Sequence, residues 1–143
     1  MAVRFFSDEI SFQPTDKQKL SRWLKNIATG EGKKPGDLHY IFVTDEKILD
    51  LNRRFLQHDY YTDILTFDNS SGNTVAGEMY ISIHTVRANA ESYQTGFDCE
   101  LRRVMAHGVL HLCGYNDLTE TEQSLMREAE TRYLKQWTID SGQ

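Results

Sequence analysis

Two histidines, His107 and His111, stand four residues apart in the run His107-Gly108-Val109-Leu110-His111-Leu112-Cys113-Gly114-Tyr115-Asn116-Asp117. In a helix of about 3.6 residues per turn, this spacing projects both imidazoles from one face, one turn apart. Two imidazoles so placed can grip one metal ion. Gly114 supplies a helix stop, because glycine tolerates the left-handed conformation that commonly closes a helix. The chain can then reverse and bring Asp117 over the same ion. The predicted ligand set is His107, His111 and Asp117. The plainer alternative is a helix with two partly buried histidines and a glycine cap.

The pattern H-x-x-x-H-x-x-G-x-x-D is close to the H-E-x-x-H-x-x-G-x-x-H of metzincin proteases, with two changes. Gly108 replaces the glutamate that usually acts as general base, and the third ligand is a carboxylate. Catalytic zinc sites keep three protein ligands and an open fourth position, where the ion brings the pKa of water to about 7. A His₂Asp set also accepts Ni²⁺, Co²⁺, Mn²⁺ or Fe²⁺. It describes the facial triad of Fe(II) oxygenases too, although that triad does not usually come from a helix-borne H-x-x-x-H. Cys113 lies two residues past His111 and should point away from the metal face, into core packing.

The chain's 143 residues fit one domain with one core, spanning 1–143. Hydrophobic residues at 39% against 26% charged predict a folded chain rather than a disordered one. No apolar run approaches the ~20 residues of a membrane span, so no membrane association is expected. The stretch Met1 to Asp8 has no signal-peptide layout. Two cysteines, Cys99 and Cys113, make no disulfide framework, and a reduced, cytoplasmic setting is the default expectation. The net charge of -5 argues against bulk-charge wrapping of nucleic acid and leaves room for a small basic patch.

Several elements must position the histidine run. Val3 to Phe6 reads as a short strand. Pro14, Thr15 and Asp16 open a helix with Leu20, Trp23, Leu24 and Ile27 on one stripe, closed by Gly30 and Gly32. Lys33 to Gly36 reads as a turn, and Leu38 to Thr44 as a buried strand that includes His39. Asp45 is the expected N-cap of a helix to about Phe55, with Ile48, Leu51 and Phe55 inward. Thr62 to Asp68 and Glu78 to Ile83 are strands joined through a polar turn at Asn69 to Asn73. Helices follow over about 84–93 and 98–113, the second with Leu101, Val104 and Met105 inward. Thr119 and Glu122 form a capping-box signature for a last helix to about Trp137, with Leu125, Ala129, Tyr133 and Trp137 on its apolar face. The predicted fold is α+β: a small mixed four-stranded sheet backed by about five helices.

Residues 107 to 117 closely resemble the H-G-x-L-H-L-x-G-Y-D-H signature of the YbeY endoribonuclease and rRNA-maturation family. Leu51-Asn52, followed by Thr62-Asp63-Ile64-Leu65-Thr66-Phe67, resembles that family's L-N-x-x-Y-R…T-D-V-L-S-F. Gly77-Glu78-Met79-Tyr80-Ile81-Ser82 is similar to its G-D-I-x-I-S strand. The resemblance spans about residues 40–130. It implies a bacterial, cytoplasmic, zinc-dependent RNase specific for single strands, with rRNA and the ribosome as partners, acting in 16S rRNA maturation and ribosome quality control. Two positions depart from the family. Asp117 stands where the family has a third histidine, which puts a negative charge on the metal. Leu56 stands where the family has an arginine thought to belong to the active site. His58, Arg53 and Arg54 are candidates for the missing phosphate contact.

Three readings follow. The first is a metal-dependent phosphodiesterase acting on single-stranded RNA, with Zn²⁺ on His107, His111 and Asp117. Asp63 and Glu78 could then line the cleft as acid–base groups, or be strand-end carboxylates; Asn52 could hold a nearby loop. Arg102 and Arg103 could touch phosphate or simply face solvent. The second is a metallopeptidase, which the ligand spacing favours and Gly108 disfavours. The third is a non-catalytic ribosome assembly factor with a structural zinc closed by a fourth ligand such as Cys99 or His58. No motif specifies an oligomeric state.

Overall fold

A computed structural model describes residues 2–56 and 62–141. Among these, the element order is β1 (Val3–Ser7), α1 (Lys17–Gly30), β2 (Lys34–Val43), α2 (Asp45–Phe55), β3 (Ile64–Asp68), β4 (Thr74–Ser82), α3 (Ile83–Ser92), α4 (Phe97–Leu112) and α5 (Glu120–Ser141). The four strands form one sheet in the order β1-β2-β4-β3. β1, β2 and β4 run parallel, and β3 pairs antiparallel with β4. The architecture is the mixed-sheet α+β domain that the sequence pattern predicts.

Strand alternation divides the sheet into two faces. Leu38, Tyr40 and Phe42 of β2 and Val75, Met79 and Ile81 of β4 point to one face, where they join the core with α1 and α4. Two buried hydrogen bonds tie the helices down. The Tyr40 hydroxyl donates to the Met105 carbonyl at 3.0 Å, and the Trp23 indole donates to the Tyr133 carbonyl at 2.8 Å. α4 lies so close to the sheet that a Cβ on Gly108 would sit 2.9 Å from the Met79 sulfur and 3.1 Å from Ile64.

Several boundaries differ from the sequence expectation, each for a tertiary reason. Lys34 to Gly36 is not a free turn but the start of β2, paired at Lys34 with Thr74 and at Pro35 with Val75. The ladder is irregular between Pro35 and Leu38. Thr44, not Asp45, caps α2, with its hydroxyl accepting from the Lys47 N–H. Asp45 instead accepts from the Ser82 and Thr85 hydroxyls and joins the starts of α2 and α3. On α5, Leu125 is 53% exposed and Met126 takes its place in the core. The capping box itself is present in both directions. The Glu122 N–H donates to the Thr119 hydroxyl at 3.1 Å, and the Thr119 N–H donates to the Glu122 carboxylate at 3.0 Å.

Gly77 permits the contact between α4 and the sheet. A Cβ there would lie 2.6 Å from the Phe67 carbonyl oxygen and within 3.2 Å of both Leu112 methyls. Backbone cannot yield as a flexible side chain can. Gly77→Ala is therefore expected to destabilise the protein by roughly 1–3 kcal/mol, measured as a lower denaturant midpoint.

Candidate metal centre

The end of α4 has the geometry that the glycine predicts. Gly114 has φ +110°. Its N–H donates to the His111 carbonyl, and the Tyr115 N–H donates to the Leu110 carbonyl. This pair of bonds is the Schellman arrangement, which turns the chain back over the last helical turn. Asp117 then returns to His107, with its Oδ2 3.3 Å from Nε2. One ligand atom from each of His107, His111 and Asp117 lies within 4.8 Å of the others.

The remaining imidazole nitrogens are already engaged. The His107 Nδ1–H donates to Glu130 Oε2 at 2.7 Å, and the His111 Nδ1–H donates to the Tyr115 carbonyl at 2.7 Å. A carbonyl or carboxylate can only accept, so both bonds fix the proton on Nδ1 and leave Nε2 as a lone-pair donor. Metal-binding histidines are held in this way, with the second nitrogen bonded to an oxygen acceptor. Two freed Nε2 atoms beside a carboxylate fit a divalent ion.

Two further carboxylates support this centre. Glu130, on α5, is 6% exposed and also accepts from Arg103 Nη1 at 3.0 Å. It thereby joins a metal-facing imidazole to a guanidinium on the same helix. Burial alone would lower the His107 pKa, but the Glu130 hydrogen bond and charge, with Asp117 and Asp63, raise it instead. Glu31 holds the loop from the other side. It accepts from the Tyr115 hydroxyl at 3.0 Å and from the Tyr133 hydroxyl, and pairs with Arg132 at 3.2 Å. Burial and Glu31 push the Tyr133 phenol up to about 12, so it stays a donor.

A cavity of about 420 Å³ opens at the centre, with Asp63, Glu100, Arg103, His107, Asp117 and Glu130 in its lining. Asp63 is thus placed beside the ligands; its backbone carbonyl accepts from the Ser82 N–H at 3.0 Å. Burial raises the Asp63 pKa, and the charge of His107 partly opposes that.

Of the other candidates among the described residues, the structure brings Arg103 to the cavity and leaves the rest away from it. Glu78 alternates with Met79 and lies on the opposite face of the sheet, beside Tyr80, where it helps to raise the phenol's pKa after burial. His58 lies outside the described residues. Leu56 is the partly exposed C-cap of α2. Arg54 pairs with Asp50 on the exposed side of that helix. Arg53 is an exposed α2 residue outside the cavity lining, and Asn52 is buried in the same helix. Arg102 turns away to lie over the Trp137 ring at 4.7 Å, whereas Arg103 lines the cavity.

Position 108, where a metzincin carries its base, packs against the sheet and not the cavity. Cys99 is not part of the three-residue group found among the described residues. Burial, then Glu31, pushes the Cys113 thiol up to about 11, which opposes the thiolate form a ligand needs.

Three comparisons with known proteins agree. The family profile described as Endoribonuclease YbeY matches residues 4–138. A protein of Parabacteroides distasonis named Endoribonuclease YbeY is 48% identical over 134 residues, covering 94% of each chain. One of the same name from Bacteroides thetaiotaomicron is 46% identical over 94% of this chain and 98% of its own. The solution structure of a Thermotoga maritima protein superposes with a TM-score of 0.66 at 27% identity, over 96% of this chain and 90% of that one.

Glu130→Ala should weaken metal affinity by about 10- to 100-fold, with Glu130→Gln between the two. Competition against a chromophoric chelator measures this.

Proposed function

This chain belongs to the Endoribonuclease YbeY family, and on that footing we propose that it is a zinc-dependent endoribonuclease that cuts single-stranded RNA during ribosomal RNA maturation. The observation that carries this reading is the meeting of His107, His111 and Asp117 beside a polar cavity that His107 and Asp117 line, with both histidine Nδ1 atoms already bonded elsewhere. Relatives that share most of the chain carry the endoribonuclease name. A zinc ion bound there supplies Lewis acidity, polarising a phosphoryl oxygen and lowering the pKa of water.

The chain's own residues supply the rest. Phosphodiester cleavage forms one P–O bond and breaks the P–O bond to the leaving ribose oxygen. The nucleophile loses a proton and the leaving oxygen gains one. Asp63 is the group that relays it: a buried carboxyl in the same cavity, with a raised pKa that lets it hold and release a proton closer to neutrality. Arg103, held by Glu130, and Arg127, also in the lining, offer positive charge to the RNA backbone. They take over the duty that the family's arginine would have at Leu56. A closed structural zinc site would need a fourth ligand, and the described residues offer three.

The test is cleavage of a labelled single-stranded RNA by the zinc-loaded protein. Chelator should abolish cutting. Asp117→Ala should remove most of it, together with zinc affinity. Asp63→Asn should lower kcat by roughly 10²–10⁴ while zinc affinity holds. Wild-type protein that cuts no RNA, or cutting that survives both chelator and Asp117→Ala, contradicts the proposal.

A further inference from the structure

The cavity does not end at the metal ligands. Its lining also includes Glu100, seven residues before His107 on α4. Seven residues are close to two turns, so both side chains leave the same face, with their backbones about 10 Å apart along the helix. Glu100 is 4% exposed. Among the described residues its carboxylate has neither a hydrogen bond nor an ion pair, whereas Glu130, equally buried, has both. Buried carboxylates are ordinarily satisfied by donors. Burial raises the Glu100 pKa, the charge of Arg103 opposes it, and Asp63 and Glu130 add to it. The Glu100 oxygens are not among the fully buried side-chain atoms that lack a partner, so they open on the cavity with acceptor capacity free for a ligand's N–H groups.

The same lining includes residues from the end of α3. Asn89 and Tyr93, four residues apart, both line the cavity. Tyr93 is the C-cap of α3 and is 64% exposed, so its ring is open to a ligand. Gln94, at φ 55°, turns the chain there, and the Thr95 N–H closes the turn on the Ala90 carbonyl at 2.9 Å. The outcome is an aromatic ring, an amide and a carboxylate without a protein partner among the described residues, all in the lining of the cavity that also takes in His107 and Asp117.

We propose that Glu100, Asn89 and Tyr93 form a nucleobase subsite selective for guanine. Glu100 accepts the N1–H and N2–H of the base's Watson–Crick edge, the Asn89 amide donates to O6, and Tyr93 stacks on the base. Single-stranded RNA is read by such contacts, stacking on aromatic rings and bonding along unpaired base edges. Guanine presents two adjacent donors on that edge, matched to the two oxygens of a carboxylate. Adenine and cytosine present one amino group each, and uracil one imino group. The subsite rests on the RNA-cleaving reading for its ligand class, and its recognition chemistry is separate from the metal's.

The experiment is fluorescence anisotropy of 2′-O-methyl RNA tetranucleotides that differ at one base, titrated with the zinc-loaded full chain. The guanine oligonucleotide should bind about tenfold or more tighter than the adenine one. Glu100→Gln should bring the two within about twofold at unchanged zinc affinity, and Tyr93→Ala should weaken every base. Equal affinity of the wild-type protein for all four bases overturns the subsite without recourse to any variant. So does a guanine preference that persists in folded Glu100→Gln protein. Guanine-selective binding by a protein that cuts no RNA would leave the subsite standing and refute the nuclease; cutting with base-blind binding would do the reverse.

Discussion

A histidine presents a chosen nitrogen to a metal in a fixed orientation when the other nitrogen is held, and this centre is built on that interaction. Both imidazoles of α4 give Nδ1–H to an oxygen acceptor, one on Glu130 and one on the carbonyl of Tyr115. The first acceptor requires α5 to pack along α4. The second requires the chain to reverse at Gly114, because only then does the Tyr115 carbonyl face the ring four residues earlier. Asp117 uses the same reversal. The capping box at Thr119, the Trp23–Tyr133 bond and the Glu31 network all keep α5 and the loop in place against α1 and α4.

The electrostatics of the cavity follow from the same packing. Asp63, Glu100, Asp117 and Glu130 gather four carboxyl groups around one space. Within the chain, the Arg103 guanidinium compensates Glu130 directly. Burial raises the pKa of Asp63 and of Glu100, and the neighbouring carboxylates add to it. A cation held by His107, His111 and Asp117 would offset the charge of Asp117, and the N–H groups of a ligand would do so at Glu100. A chain of net charge -5 can therefore serve an anionic polymer: its attraction is local, at the ion and at Arg103 and Arg127.

Much of this was legible in the sequence because local chemistry and tertiary packing agree. The spacing of His107, His111, Gly114 and Asp117 contains the helix face, its stop and the return, with no distant contact needed. Thr119 with Glu122 marks the start of α5 for the same reason. Where the two levels diverge, the sequence misleads. Lys33-Lys34-Pro35-Gly36 has turn chemistry, yet pairing with β4 draws most of it into a strand. Successive steps of four on α5 drift by about 40° each, so Leu125 leaves the face that Ala129, Tyr133 and Trp137 share, and Met126 replaces it. Glu78 sits in a recognisable strand motif, but the phase of β4 sends it to the far face of the sheet. Glu130 carries no signal in its own stretch, since its partner is 23 residues away on another helix. Glu100 was findable, two helical turns before His107, and only its burial marks it as unusual.

The most direct test of the account is the structure of the zinc-loaded protein with the ion located by anomalous scattering at the zinc edge. One ion is expected, bonded to Nε2 of His107, Nε2 of His111 and a carboxylate oxygen of Asp117, with both Nδ1 atoms still on Glu130 and the Tyr115 carbonyl. An ion bound through either Nδ1, or away from these three residues, would contradict it.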